Sequence, residues 1–179
     1  LGQWSTLLHL AGVSVDAGTG RAEAWVTLEG NRVSAITVDA ALDQLVLRGT
    51  PESPAALAPR TQFAKVESRA RWALVDGGWR VDAPVLRIDS GGSRHVMDGL
   101  LLAGGTHYAV SAPRVDVAPL LGVAALSDRL SPGLRRWIRQ AQPRATLQDI
   151  AVSGTRGGAM HASTRIEALG FDPVGDSPG

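Results

Sequence analysis

Cysteine is absent from all 179 residues of the chain. That excludes disulfide staples, thiolate zinc sites, iron–sulfur clusters and cysteine nucleophiles. Lysine is nearly absent too: of the 18 Lys+Arg residues only Lys65 is lysine, and the arginines are scattered. Against 17 Asp+Glu the formal charge is +1, which lacks the clustered cations that non-specific nucleic-acid binding requires. No apolar run approaches the roughly 18 residues of a membrane-spanning helix, and no signal peptide opens the chain. The sequence begins at Leu1 without methionine and ends in the turn cluster Gly175-Asp176-Ser177-Pro178-Gly179. A piece of a longer protein is expected to look like this, so missing targeting signals carry no weight about location.

What remains is enough to fold. Hydrophobic residues make up 44% and charged residues 20%, a balance that can bury a core and is unlike that of disordered chains. Short β-favouring runs recur between turn signals, at 6–15, 21–29, 32–40, 42–48, 61–75, 79–89, 95–103 and 107–117. Turn material separates them at 16–20, 29–31, 76–78, 90–93 and 104–105, and Pro51, Pro54 and Pro59 mark a loop.

Several runs alternate with period 2. Ala64, Val66, Ser68, Ala70, Trp72 and Leu74 share one side of a strand, and Lys65, Glu67, Arg69 and Arg71 the other. That pattern predicts an antiparallel sheet solvated on one face. Ala22, Ala24, Val26 and Leu28 form a similar stripe, and Met160, Ala162, Thr164 and Ile166 a weaker one. Pro84 interrupts the alternation at 79–89, predicting a bulge or an edge.

Two helical segments interrupt the strands. The first, 119–130, is mostly apolar. The second, Pro132–Ala141, has Ser131 as N-cap and proline at its first position. Leu134, Trp137, Ile138 and Ala141 recur at i, i+3, i+4 and i+7, which predicts that Leu134, Trp137 and Ile138 anchor the helix. Strands resume at 146–153 and 159–169. About ten strands with one apolar face need a second layer, and two short helices cannot cover it all. Either the sheet closes into a sandwich or barrel, or part of its apolar face stays open as a groove.

Catalytic and metal signatures are missing. His9, His95, His107 and His161 have no partners at metal-ligand spacing. No G-x-S-x-G, P-loop or dinucleotide fingerprint occurs, and Gly154-Thr155-Arg156-Gly157-Gly158 reads as a hairpin turn. Asp39 with Asp43, and Asp82 with Asp89, are candidates for paired acid–base work only in that they exist, and they fall at strand ends and polar faces, where solvated aspartate is usual. The expectation is a non-enzymatic chain without cofactor or metal. Trp4, Trp25, Trp72, Trp79 and Trp137 outnumber the 2 Phe and 1 Tyr, as suits either core packing or the lip of an apolar surface.

The C-terminal third resembles the central region of the YhdP family, the large AsmA-like proteins of Gram-negative envelopes. The resemblance rests on Leu130-Ser131-Pro132-Gly133-Leu134-Arg135-Arg136-Trp137-Ile138, on 143–150 and on 169–179 with its closing Pro178-Gly179. Trp72 with Gly77-Gly78-Trp79, Asp98-Gly99-Leu100 and Asp116-Val117 with Pro119-Leu120 fit the same pattern. Ser131, Ala145 and Ile166 depart from it. The resemblance implies one β-groove segment over 1–179, with a helical insertion at about 119–142. Its fold would be mainly β: a strongly twisted antiparallel sheet rolled into an open groove, with two short helices. It also implies a periplasmic segment of a full-length protein anchored in the inner membrane. The partners would be phospholipid acyl chains and neighbouring segments of the same chain, with no nucleic acid. The lining expected from alternation is Val26, Leu28, Val66, Trp72, Leu74, Leu100, Leu102, Val110, Ile150, Met160 and Ile166. Leu101 is as apolar as its neighbours, so the register at Leu100 and Leu102 is the least fixed. The alternative reading is a non-catalytic periplasmic scaffold or interaction module.

Overall fold

The computed structural model describes residues 12–51, 53 and 55–175. The expected strand at 6–15 and the closing turn cluster therefore fall largely outside the described residues. Among those described, nine strands form one open antiparallel sheet that does not close into a barrel, and 66% of the structure is strand. The strands are β1 (Ser14–Glu29), β2 (Arg32–Arg48), β3 (Arg60–Val75), β4 (Gly78–Ser90), β5 (Ser93–Val96), β6 (Leu100–Gly105), β7 (His107–Asp116), β8 (Arg144–Thr155) and β9 (Met160–Gly170). Helices α1 (Val117–Ala124) and α2 (Pro132–Ala141) join β7 to β8. The sheet order is β1-β2-β3-β4-β6-β7-β8-β9, with β5 paired to β4 alone.

The hairpin turns follow from local chemistry. Gly30 and Asn31 between β1 and β2, and Gly91 and Gly92 between β4 and β5, all have positive φ. A two-residue hairpin turn matching strand twist needs that conformation. Four hairpin tips, β1–β2, β3–β4, β6–β7 and β8–β9, therefore lie at one end of the sheet, and the helices and the 49–59 loop lie at the other.

Several expectations need correction, among them the turn at 104–105, whose two glycines end β6 (Leu100–Gly105). The Gly-rich 16–20 stretch is strand, not turn: β1 runs through it with register shifts at Val15/Ala17 and Ala17/Thr19. Gly20 is required there because a side chain would run into the Ala41 carbonyl. The segments 32–40 and 42–48 are one strand, in which Gln44 takes a left-handed φ of 50°. The 95–103 run is two strands, split at Asp98-Gly99, where Gly99 has φ 78°. The side chain of Asp98 holds that split by accepting the Leu86 N–H at 3.1 Å and an Arg87 Nη2–H at 3.2 Å. The first helix begins at Val117 and ends at Ala124, shorter than 119–130.

Pro84 behaves as expected of a residue without an N–H. β4 pairs with β6 as far as Ala83 and with β5 from Arg87 onward, and the β3–β4 register shifts between Arg69 and Arg71. Proline thus stands where β4 changes partner.

The core gathers at the helical end. Leu45, Phe63, Ile88, Met97, Ala112 and Val115 form it, with Leu42, Val66, Leu100, Val123 and Ile150 packed around. Leu42 and Leu45 are three residues apart yet reach the same core, as do Val66 and Phe63 in the partner strand. The left-handed Gln44 lies between Leu42 and Leu45 and lets the alternation slip there.

The anchor expected of α2 is also corrected. Its buried residues are Arg135, Ile138 and Ala141; Leu134 and Trp137 are exposed, Trp137 by 42%. The helix rests on α1, which in turn packs on β8. The buried side is therefore turned by about one position from the most apolar stripe. Arg135 donates to the Thr50 carbonyl at 3.3 Å, and the Ala141 carbonyl accepts the Asp172 N–H at 2.6 Å. Both contacts involve the side that carries Arg135, Ile138 and Ala141. The ends of α2 follow expectation: Ser131 Oγ accepts the Leu134 N–H, and the left-handed Gln142 closes the helix on Ile138.

Candidate functional site

Directly paired residues in an antiparallel sheet point to the same face. The ladders therefore define one apolar row across eight strands: Val26, Ile36, Trp72, Val81, Leu102, Val110, Val152 and Ala162. Ile36, Trp72, Val81, Leu102, Val110 and Val152 are half-buried, and Val26 is 55% exposed. One row towards the hairpin tips, Leu74 pairs with Trp79 and Trp79 with Gly104, and Gly154 joins Tyr108 to Met160. Leu28, Leu74 and Met160 are 61%, 53% and 62% exposed. Among the described residues the apolar face thus has two halves: the helical end is packed core, and the hairpin end is uncovered.

The opposite face is ionic. Arg69 Nε donates to Asp39 at 2.9 Å, Arg94 Nε to Asp89 at 2.8 Å and Arg80 Nε to Asp82 at 2.9 Å. Lys65 pairs with Glu67, and Arg87 lies 4.0 Å from the same carboxylate. A hydrogen bond from Lys65 holds the Glu67 carboxyl below its usual range, and one from Arg94 does so for Asp89. Asp39, Asp82 and Asp89 are thereby engaged in ion pairs on the solvated face. Among the described residues no group of three or more His, Cys, Asp or Glu side chains could hold a metal ion.

The residues named from alternation are distributed as follows. Val26, Trp72, Leu102 and Val110 stand in the eight-strand row, and Leu28, Leu74 and Met160 on the same face nearer the tips. The open register question resolves with Leu102 between Val81 and Val110, while Leu101 pairs with Asp82 and Ser111 on the other face. Val66, Leu100 and Ile150 pack against the core instead of lying open. Ile166 pairs with Leu147, beyond the β8–β9 register shift, and is exposed. Ile36, Val81 and Val152 are not among the lining residues expected from alternation, and Trp79 enters there only as a tryptophan suited to core packing or an apolar lip. Simple alternation across the β1–β2 hairpin would have led from Val26 to Ala35, and the register shift between Thr27 and Leu28 puts Ile36 there instead. Val81, two residues past Trp79 and ahead of the Pro84 irregularity, follows directly from the β3–β4 hairpin.

A second concavity lies between the helices and the end of the sheet. It is a cleft of about 570 Å³ floored by Phe63, Leu121, Ala125 and Ile138 and bordered by Arg60, His95, Arg139 and Arg144. His95 Nδ1 lies 3.5 Å from Asp116, whose carboxylate also accepts the Thr146 hydroxyl at 2.9 Å.

No family model, curated protein or solved structure matches this chain. Among the described residues no helix is long and apolar enough to cross a membrane.

Proposed function

We propose that this chain is a non-catalytic segment of a bridge-like, AsmA-type protein that offers phospholipid acyl chains an apolar path between inner and outer membranes. The observation that carries the reading is the eight-strand apolar row, continued by Leu74, Trp79 and Met160 on a half-face that no element among the described residues covers. Each methylene withdrawn from water onto such a surface contributes about 0.8 kcal/mol. A lining of this kind therefore holds chains without a fixed head-group contact, and no catalytic group is needed. In this reading the segment works in the periplasm, within a longer chain anchored in the inner membrane, and its neighbours are adjoining segments.

Site-specific photo-crosslinking in cells tests it. A photoreactive residue at Leu74 or Val152 should yield phospholipid adducts, and one at Arg71 on the ionic face should not. Equal labelling at both faces, or none at either, would remove the lipid path. The second reading, a periplasmic interaction module, is favoured by the two outer strands. Among the described residues β1 pairs only with β2 and β9 only with β8, and β9 is exposed along nearly its whole length. Such edges accept a further strand. Protein adducts at β9 without lipid adducts at Leu74 would select it.

A further inference from the structure

We infer that the cleft between α1, α2 and the sheet binds an anionic amphiphile: a phosphate or carboxylate group on its cationic rim, with an alkyl or aryl body on its floor. The inference uses no part of the lipid-path reading, because the cleft lies at the helical end, away from the uncovered half-face.

Its lining is divided by chemistry. Phe63, Ala125 and Ile138 are buried and supply an apolar floor, with Leu121 beside them. Arg60, Arg139, Arg144 and His95 stand on the border, with the hydroxyls of Ser90 and Ser93. Among the described residues no carboxylate lines the cleft, although the chain as a whole is nearly neutral. The acids stand outside the lining: Asp16 takes Arg60 Nε at 3.0 Å, Asp172 takes Arg144 Nη2 at 2.9 Å, and Asp116 lies by His95. A guanidinium carries five N–H donors in a fixed fork. The Arg60 and Arg144 pairs each occupy one edge of that fork, so they orient the arginine and leave donors for a bidentate anion, while Arg139 Nη1 donates to the Ala125 carbonyl at 3.4 Å. A volume of about 570 Å³ falls within the ordinary range of small-ligand sites, which are mostly apolar with a few placed polar groups.

The test titrates the protein with dodecyl phosphate, inorganic phosphate and dodecyl maltoside, following the His95 imidazole resonances by NMR. Dodecyl phosphate should shift them saturably. Inorganic phosphate should bind at least about tenfold more weakly, since it gains nothing from the floor, and the maltoside should leave them in place. Arg60 and Arg144 are well exposed, so R60Q with R144Q should fold normally and weaken dodecyl phosphate about tenfold or more. Leu74→Asp, on the distant half-face, should leave the His95 response intact, which separates failure of this site from failure of the lipid path. The inference is overturned if R60Q/R144Q binds dodecyl phosphate like the parent protein. It is equally overturned if maltoside shifts His95 as strongly, or if free phosphate binds as tightly as the alkyl ester.

Discussion

Trp79 faces Gly104 across the β4–β6 ladder, and its indole occupies the space where a Gly104 side chain would stand. Tyr108 and Gly154 repeat the relationship two ladders further on, between β7 and β8, with the phenol over the glycine. A glycine opposite an aromatic gains cover for its bare backbone, and the ring gains a flat seat on the sheet. Both pairs lie on the uncovered half of the apolar face, so aromatic shelves take the place of a second layer there.

Gly104→Val should therefore displace the Trp79 indole and cost about 1–3 kcal/mol, as overpacking does. Denaturant unfolding and a red-shifted tryptophan emission would register it. Gly133→Ala, in the first turn of α2 with nothing within 4 Å of the added methyl, should be neutral or stabilise by a few tenths of a kcal/mol.

The orientation of α2 predicts an inverted ranking of its apolar residues. Ile138→Ala should cost about 2–4 kcal/mol, because the side chain is buried. Trp137→Ala, although it removes more atoms, should cost less than about 1.5 kcal/mol. If chemical denaturation ranks Trp137 above Ile138, the helix packs by its sequence stripe after all.

The two halves of the apolar face should answer differently to a charge. Leu74→Asp places a carboxylate where water reaches it and should cost less than about 1 kcal/mol. Phe63→Asp buries one inside the core and should cost more than about 4 kcal/mol or prevent folding. Comparable losses in urea unfolding would show that Leu74 is covered.

Acid should loosen the ionic face in a defined direction. Hydrogen bonds from Lys65 and Arg94 favour the ionised carboxylates and so lower the folded-state pKa of Glu67 and Asp89. Their contribution is therefore complete above the unfolded carboxylate range. It is lost as pH falls below about 4 through the depressed folded values. Lys65→Met with Arg94→Met should lower the melting temperature at pH 7, and the difference from the parent protein should shrink towards zero near pH 2. A difference that stays constant with pH would assign the effect to packing of the long side chains.

Strand content, the hairpins at Gly30-Asn31 and Gly91-Gly92, the ends of α2 and the two faces of β3 were legible in the sequence. They rest on short-range causes: side-chain period, positive-φ turn residues, a serine N-cap and a proline at the first helical position. Where the alternation changes phase was not legible. Gln44 carries no marker of its left-handed backbone, and only pairing with β3 shows that Leu42 and Leu45 share a core. The partner change at Pro84 was visible as an interruption, but not the identity of the two partners, β5 and β6. Nor could periodicity orient α2, because its most apolar stripe and its buried side differ. The buried side was fixed by distant groups: the Thr50 carbonyl that receives Arg135 and the Asp172 amide that binds Ala141. The sequence by itself determined that one face would be apolar. Only the tertiary structure decided how much of it the helices cover, because that depends on contacts between residues far apart in the chain.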